Sequence, residues 1–323
     1  MPDPTPARPD AAITRRNVLS AAVGVGASFA VPRVLRADPA SAPAPALPTR
    51  PFGRTGRTVT VFGLGCFYVG AAADDDAGVA IVARALERGC TYFDTAPSYV
   101  RGLSERRVGI ALAGRRDRVF LATKTLERDG TAARRELEQS LTRLKTDHVD
   151  LLQVHCVRDA AELDRILSDR GPLAAILRAK EEGLVRFVGV TGHRDPAVMK
   201  AALERWSWDS ILMPLSPVDV HKQSFVDGTL PAAVTAGVAR VAMKVFAAGR
   251  ALAGPSALPA EDCLRFAYGL DISTAAVGCA TPEEVDVAAR VAAEAKPLDP
   301  ERRRALLEAG KAVSAAGVEW WKG

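Results

Sequence analysis

The sequence predicts an α/β protein, a closed (β/α)8 or TIM barrel in a single domain. Eight short apolar segments, each bounded by turn residues, alternate with segments of helical periodicity between residues 59 and 294. This alternation is typical of a parallel sheet with crossover helices, and eight units favour a closed barrel over an open sheet. No Gly-x-Gly-x-x-Gly follows the first apolar segment, which disfavours the doubly wound dinucleotide-binding fold.

The predicted elements follow one another in regular order. Residues 50–58, which contain two glycines, suit a short hairpin before the first strand. Ser104 is well placed to cap the helix after the second strand, and Gly171-Pro172 interrupts a longer helical segment. The predicted strands cover residues 59–65, 90–94, 119–124, 149–154, 187–190, 211–213, 240–244 and 274–277. The predicted helices cover residues 76–88, 104–113, 131–145, 160–182, 196–204, 231–236, 261–268 and 282–294.

The first 42 residues have the composition of an export signal. The pair Arg15-Arg16 precedes a stretch rich in Ala, Gly and Val over residues 18–31, and Ala40-Ser41-Ala42 suits cleavage. An arginine pair in this position resembles the twin-arginine signal, so we expect the twin-arginine translocase as a partner and a periplasmic or other extracytoplasmic location. The alternative is a basic tail with a chance arginine pair. The predicted division is a signal peptide over residues 1–42, a Pro/Ala linker over 43–48 and the barrel over 49–323.

Charge and composition argue against two classes of function. Of the net charge of +5, the first 42 residues carry +2 (five arginines against three aspartates), which leaves +3 for the rest. The lysines and arginines are scattered without aromatic interleaving, so nucleic acid is not an expected partner. No apolar run reaches the roughly 18 residues that span a bilayer, so the mature protein is not expected to cross a membrane.

The cysteines and histidines do not form a metal-binding pattern. The five cysteines are far apart, and no Cys-x-x-Cys or zinc-like Cys/His spacing occurs. His155 and Cys156 are adjacent, and in a strand they would point to opposite faces. We therefore expect no metal and five unpaired thiols, and a metal-dependent barrel hydrolase is disfavoured.

Four residues capable of proton chemistry lie at or just after the ends of three successive predicted strands. Asp94 ends the second strand and Tyr99 follows it, Lys124 ends the third, and His155 follows the fourth. The carboxyl ends of the strands meet at the mouth of a (β/α)8 barrel, where its active sites lie. Each residue alone suits a helix cap, packing, a plain ion pair or a buried imidazole, but together they predict a catalytic group.

This set of side chains suits the reduction of a carbonyl, which needs a hydride on carbon and a proton on oxygen. Tyr99 is a natural proton donor, although an unperturbed tyrosine has a pKa of about 10. Lys124 is expected to lower this pKa, and Asp94 is expected to hold the ammonium charged and oriented. His155 is placed to donate a hydrogen bond to the substrate oxygen.

Three blocks of sequence resemble the aldo/keto reductase family. They are Phe93-Asp94-Thr95-Ala96-Pro97-Ser98-Tyr99 with Gly102-Leu103-Ser104-Glu105, then Ala122-Thr123-Lys124, and then the stretch from Asp147 to His155. The resemblance continues through residues 188–193 to Gly278 and covers about residues 49–295. It implies an NAD(P)H-dependent oxidoreductase acting on a small-molecule carbonyl substrate, in a bacterial member with a twin-arginine signal. Tyr99 would be its proton donor, Asp94 and Lys124 would tune that donor, and His155 would orient the carbonyl.

The resemblance also implies where the nicotinamide binds, with departures from the family pattern. Thr191-Gly192 stand where the family has Ser-Asn for the nicotinamide amide, and Leu212 and Met213 occupy the stretch that usually holds a Gln. Met243 takes the place of a stacking aromatic ring, which a thioether can replace.

The phosphates are expected at two further places. Lys244 is placed to meet a phosphate, and the loop from Phe246 to Gly249 would cover the pyrophosphate. The last strand end and the next helix contribute Gly278, Thr281 and Glu284, since a helix N-terminus offers free N–H groups to a phosphate. Ala280 stands where NADPH-dependent members often have an arginine, so NADPH is expected and NADH is the alternative.

The substrate side and the function each leave alternatives open. Phe67 and Tyr68 are expected to line the substrate pocket, whereas Trp206 and Trp208 suit either the pocket or the core. Trp320-Trp321 either fold over the mouth or extend into solvent. An exported reductase would carry its cofactor with it. The alternative function is an exported, nucleotide-bound sensing or binding protein with little turnover, which the altered nicotinamide contacts favour.

Overall fold

The computed structural model describes residues 46–322, so the predicted signal peptide and the first half of the linker, residues 43–45, lie outside the described residues. Eight parallel strands form a closed barrel in which each strand pairs with the next along the chain, and the last pairs with the first. These barrel strands are β3 Phe62–Gly65, β4 Tyr92–Asp94, β5 Phe120–Thr125, β6 Val149–Val154, β7 Val185–Thr191, β8 Ser210–Pro214, β9 Ala239–Met243 and β10 Thr274–Gly278. The predicted fold class is confirmed.

A hairpin closes the amino end of the barrel. It consists of β1 Thr49–Pro51 and β2 Thr58–Thr60, which pair antiparallel. Phe52 packs on Tyr92 and Phe120, the first residues of β4 and β5, with ring centroids 5.7 and 4.5 Å apart. The prediction of one strand over residues 59–65 was wrong, because the chain pairs within the hairpin up to Thr60 and joins the barrel only at Phe62. The hairpin does not cover the carboxyl end of the barrel, where the candidate active site lies.

Helices surround the barrel in the predicted alternation. They are α1 Phe67–Ala71, α2 Asp75–Glu87, α3 Leu103–Ala111, α4 Gly130–Leu144, α5 Ala160–Leu167, α6 Pro172–Glu181, α7 Pro196–Arg205, α8 Phe225–Gly228, α9 Leu230–Thr235, α10 Ala260–Tyr268, α11 Pro282–Glu294 and α12 Pro300–Ala315. Short 3-10 helices lie at Arg116–Arg118, Asp219–His221, Arg250–Leu252 and Trp320–Lys322. None of the helices in residues 46–322 has the length and apolar character needed to cross a membrane.

Two features of the helices differ from the prediction. Ser104 does not cap α3, because Gly102, with a φ of +82°, occupies the cap position and Ser104 lies buried as the second residue of the helix. The Ser104 hydroxyl donates instead to the carbonyl oxygen of Cys66 at 2.7 Å and so ties α3 to the loop after β3. The sequence prediction also omitted α1, α8 and α12.

Candidate active site

Asp94, Lys124 and Tyr99 form one hydrogen-bonded group at the carboxyl end of the barrel. The Lys124 ammonium donates to Oδ1 of Asp94 at 2.5 Å, to the carbonyl oxygen of Thr95 at 2.7 Å and to the Tyr99 hydroxyl at 3.0 Å. These contacts use all three of its N–H bonds, which holds the ammonium in one orientation. The ammonium also lies 4.5 Å from the centre of the Tyr99 ring. The structure thus brings together three of the four predicted catalytic side chains in direct contact.

The burial of these side chains and the contacts between them determine their protonation states. Burial alone would lower the pKa of Lys124, but Asp94 and Tyr99 together raise it above its usual value. Burial raises the pKa of Tyr99, and the charge of Lys124 offsets only part of that rise. The pKa of Tyr99 is thus raised and not lowered as predicted, because removing a phenolate from water costs more free energy than its attraction to Lys124 gains. Tyr99 is therefore a protonated phenol at neutral pH, which is the form that can donate a proton.

Two further side chains hold Asp94, and sequence reasoning missed both. The hydroxyl of Tyr92 donates to Oδ2 of Asp94 at 3.3 Å, and Nε2 of Gln153 donates to the same atom at 2.9 Å. Tyr92 lies two residues before Asp94 in β4, so the two side chains share the inner face of the barrel. Gln153 is level with Lys124 in the pairing of β5 with β6. The signal that could have identified Gln153 is an amide near the end of an otherwise largely apolar strand.

His155 lies beside Tyr99 as a neutral imidazole. The two ring centroids are 6.1 Å apart, and the planes are inclined at 78°. Burial, followed by the charge of Lys124, holds the pKa of His155 well below its usual value of 6.5. Its Nδ1 atom is buried and has no hydrogen-bond partner among residues 46–322. The imidazole therefore keeps unused hydrogen-bonding capacity at the site.

Phe67 and Tyr68, both in α1, have different neighbours at the site. The Phe67 ring packs edge-on against Tyr99 at 5.6 Å and is 39% exposed, as expected for a wall of a substrate pocket. Tyr68 lies against Gly278, where a Cβ would be only 3.0 Å from its ring, and its hydroxyl is 3.6 Å from the corresponding point at Gly249. Tyr68 therefore lies among the predicted cofactor-binding residues, and its ring also packs edge-on against Phe67 at 5.5 Å.

The residues predicted to hold the nicotinamide lie at the ends of β7 and β9. The Thr191 hydroxyl accepts a hydrogen bond from the backbone N–H of Cys156 at 2.9 Å. A side chain at Gly192 would meet Sδ of Met199 at 2.2 Å and the carbonyl oxygen of Val157 at 3.2 Å, so Met199 would have to move to admit it. Met243 is partly exposed and packs on the apolar interior of the barrel. Thr191 and Gly192 thus have structural roles of their own, whereas Met243 presents a thioether at the mouth.

The loop after β9 has the backbone of an anion-binding turn. Lys244, Ala247, Ala248 and Gly249 all have positive φ angles, between +46° and +83°. Such angles are rare for residues that carry a Cβ. Within residues 46–322, the backbone amides of Ala248 and Gly249 make no hydrogen bond, and successive amides in such a turn form a concave anion site. Phe246 packs against the core and anchors this loop, which was predicted to cover a pyrophosphate.

The start of α11 is less open than predicted. Thr281 caps the helix through its side chain, which accepts from the backbone N–H of Glu284 at 3.3 Å. The Glu284 carboxyl in turn accepts from the backbone N–H of Ala280 at 2.7 Å. Burial raises the pKa of Glu284. The Ala280 amide is therefore occupied by the protein itself and is not free for a phosphate.

The segment at residues 319–322 turns back to the mouth. Trp321 is buried with its ring centre 4.4 Å from the Lys244 ammonium, while Trp320 is 57% exposed. Lys322 is fully buried, and its ammonium donates to Oδ1 of Asp219 at 2.6 Å and contacts Oε1 of Glu319 at 2.8 Å. Of the two predicted arrangements of the tryptophans, the structure has the one at the mouth. Trp208, by contrast, is a core residue with no exposed surface.

His193 is a second neutral histidine close to the site. Its Nε2 atom is 3.2 Å from Sγ of Cys156, and its Nδ1 atom is buried without a partner among the described residues. Burial, followed by the charge of Lys244, lowers the pKa of His193 to about 4. All five cysteines are free, as expected, and Cys156 is the only one of them that is not fully buried.

We expect the protein to lose stability as the pH falls from 6.5 towards 4, in part through His193. Because the folded-state pKa of His193 is depressed, the unfolded chain binds the proton first, and the loss begins at the unfolded pKa. Within this window, one such histidine costs about 1.4 kcal/mol per pH unit. Urea unfolding at pH 7 and pH 5 should show a smaller loss for His193→Asn than for the wild type. An equal loss in the two proteins would contradict this assignment.

The chain is similar to known proteins in sequence. The model of the aldo/keto reductase family matches residues 61–255. The protein named Uncharacterized oxidoreductase YqkF, from Bacillus subtilis (strain 168), is 32% identical over 189 residues, which are 55% of this chain and 59% of that protein. The chain spans about half the length of the first curated relatives it matches, between 44% and 59%.

Two solved structures share its fold. The holo form of aldo-keto reductase AKR11C1 from Bacillus halodurans is 28% identical, with a TM-score of 0.70 over 82% of this chain and 97% of that one. An aldo-keto reductase from Klebsiella pneumoniae in complex with NADPH is 25% identical, with a TM-score of 0.66 over 82% of this chain and 96% of that one. Both agree with the barrel described above.

Proposed function

We propose that this chain, which belongs to the aldo/keto reductase family of NAD(P)-dependent oxidoreductases, reduces an aldehyde or a ketone to an alcohol or catalyses the reverse reaction. Tyr99 would be the proton donor. The observation that carries the proposal is the Lys124 ammonium, which contacts both the Asp94 carboxylate and the Tyr99 hydroxyl. A buried lysine oriented in this way stabilises the phenolate that remains once Tyr99 has given up its proton.

The described residues fit a nicotinamide nucleotide. The amides of Ala248 and Gly249 are free to bind phosphate oxygens, and Gly278 leaves the strand end without a side chain beside Tyr68. Met243 would pack on the nicotinamide ring. When bound, this group supplies the hydride. We propose NADPH, as in the Klebsiella neighbour, with NADH as the alternative that the Glu284 carboxyl favours by repelling a 2′-phosphate.

The other site residues bind and orient the carbonyl. Neutral His155 has hydrogen-bonding capacity to spare and would donate to the carbonyl oxygen, as an oxyanion-type contact. Tyr99 would then transfer its proton to the same oxygen, and Phe67 would form the adjacent apolar wall. In the reverse reaction Tyr99 would accept the proton from the alcohol.

A titration of the protein with NADPH and with NADH, followed by cofactor and tryptophan fluorescence, tests the proposal. We expect saturable binding of at least one nucleotide and oxidation of the reduced form when a panel of aldehydes and ketones is added. The folded protein should first be checked for nucleotide retained from purification. If it then binds neither NADPH nor NADH, the proposed reductase function is contradicted. Binding without turnover would favour the exported sensing or binding protein instead.

Export through the twin-arginine translocase is part of the proposal, with residues 1–42 as the signal and the periplasm as the destination. The supporting features are the Arg15-Arg16 pair, the apolar stretch that follows it and the Pro/Ala linker. Replacing both arginines by lysine should keep the precursor in the cytoplasm, as seen by fractionation and immunoblotting. Unchanged export of that variant would contradict this route. A protein exported by it would bring its nucleotide along already bound.

A further inference from the structure

Lys244 is a half-buried cation that has no counterion among the described residues. Within residues 46–322 its ammonium makes no ion pair and no hydrogen bond. The two fully buried lysines differ from it, since Lys124 pairs with Asp94 and Lys322 pairs with Asp219. Burial lowers the pKa of Lys244 to about 8. An unpaired ammonium in such a place costs stability, which points to a role in binding.

Aromatic rings enclose this ammonium on one side. It lies 4.4 Å from the ring centre of Trp321 and 5.6 Å from that of Trp320. The indole N–H of Trp321 is buried and has no hydrogen-bond partner among the described residues. The neighbouring Lys322, locked between Asp219 and Glu319, holds the two tryptophans in place. One cation and one unused N–H donor thus lie together at the mouth.

The catalytic residues lie within range of the charge of this ammonium. The charge of Lys244 acts on His155, His193 and Cys156. None of these groups is an anion at neutral pH, because burial keeps both imidazoles neutral and raises the pKa of the Cys156 thiol. The nearby Glu162 carboxylate is already bound by Arg128 and Arg158. Among the described residues, no carboxylate forms an ion pair with Lys244, so its charge beside His155 is not neutralised by a direct partner.

We propose that Lys244, with the indole N–H of Trp321, binds an acidic group of the substrate, so that the enzyme acts on aldehydes or ketones that carry a carboxylate or a phosphate. The inference rests on the proposed function and narrows its substrate class. It assigns Lys244 to the substrate, because its ammonium lies over the Trp321 ring beside an indole N–H that has no partner among the described residues. The backbone amides of Ala248 and Gly249, which make no hydrogen bond within residues 46–322, remain for a cofactor phosphate.

Matched pairs of substrates test this inference. The pairs are 4-carboxybenzaldehyde against its neutral methyl ester, and glyceraldehyde 3-phosphate against glyceraldehyde, each with NADPH. For the wild type we expect the acidic member of at least one pair to have a KM about 10- to 100-fold lower, as for a hydrogen bond to a charged group. The pair that shows the preference identifies the acid as a carboxylate or a phosphate.

Lys244→Met keeps the length of the side chain and removes its charge. We expect this variant to lose the acidic-to-neutral preference, and Lys244→Arg to keep most of it. Lys200→Met, which alters an exposed lysine of α7, should keep the wild-type ratio. Because the readout is a ratio of KM values within one protein, a general loss of folding or of cofactor binding does not produce the expected result. Quenching of tryptophan fluorescence by 4-carboxybenzyl alcohol, in wild type and not in Lys244→Met, is a second readout that does not require turnover.

The pH gives an independent check. The groups that face Lys244 are Cys156, His155, His193 and the two tryptophans, and burial keeps the histidines neutral above pH 7. The KM for the acidic substrate should therefore rise as the pH passes about 8, while that of its neutral partner does not.

Three results would overturn the inference. The first is a wild type that does not distinguish the members of either pair. The second is a Lys244→Met variant that binds NADPH more weakly but keeps the ratio, which would return Lys244 to the cofactor site. The third is NADPH binding without turnover of any probe and without quenching by the alcohol, which would remove the proposed function as well.

Discussion

Tyr99→Phe is expected to lower kcat/KM for carbonyl reduction by about 10²- to 10⁴-fold, the usual contribution of a positioned proton donor. The substitution removes only the hydroxyl that lies 3.0 Å from the Lys124 ammonium. The ring that packs against Phe67 and His155 is kept, so the pocket retains its shape. Steady-state kinetics with any aldehyde that the wild type reduces measures the change.

Two controls separate lost chemistry from lost structure. The Kd for NADPH should be the same in Tyr99→Phe and in the wild type, because the hydroxyl is proposed to donate the proton and not to bind the nucleotide. Tyr268→Phe removes another buried hydroxyl, one that donates to the carbonyl oxygen of Ala288, and should leave kcat unchanged. A Tyr99→Phe protein that keeps a tenth or more of the wild-type rate would show that the proton comes from another group.

Lys322→Met should lower the free energy of unfolding by about 3–5 kcal/mol, the cost of removing one partner from a buried ion pair. The Lys322 ammonium neutralises both Asp219 and Glu319 and also donates to the carbonyl oxygen of Lys222 at 2.6 Å. Methionine fits the space but leaves two buried carboxylates without a cation. The release of Trp321 from the mouth should change the tryptophan fluorescence at the same time.

Urea unfolding followed by circular dichroism measures this loss. Lys311→Met alters an exposed lysine of α12 and should stay within about 0.5 kcal/mol of the wild type. Burial raises the pKa of Asp219 to about 6, so its folded form takes up a proton before the unfolded chain does. The deficit of Lys322→Met should therefore shrink as the pH falls from 8 to 5. A deficit below about 1 kcal/mol at pH 8 would mean that the ion pair contributes little.

The fold was predictable because the signal for it is local and frequent. Each barrel strand is short, apolar and followed by helical periodicity, so eight weak signals combine into one strong pattern. The places of Asp94, Lys124 and His155 at or next to strand ends followed from the same pattern, since a parallel barrel brings all its strand ends to one mouth. The error at residues 59–65 shows the limit, because hairpin and barrel strands have the same local pattern and differ only in their pairing partners.

The sequence by itself therefore determined the barrel and was enough to predict the proposed proton donor Tyr99 with its lysine and its carboxylate. Only the tertiary structure decided their electrostatics. The pKa of Tyr99 rises and does not fall, because the effect of burial is larger than the effect of the Lys124 charge at 3.0 Å. The extent of burial cannot be read from the local sequence pattern. Likewise Lys322 pairs with Asp219, which is 103 residues away in the sequence, whereas Lys244 has no carboxylate partner among residues 46–322. Whether a charge is paired depends on contacts between distant segments, and those contacts exist only once the chain is folded.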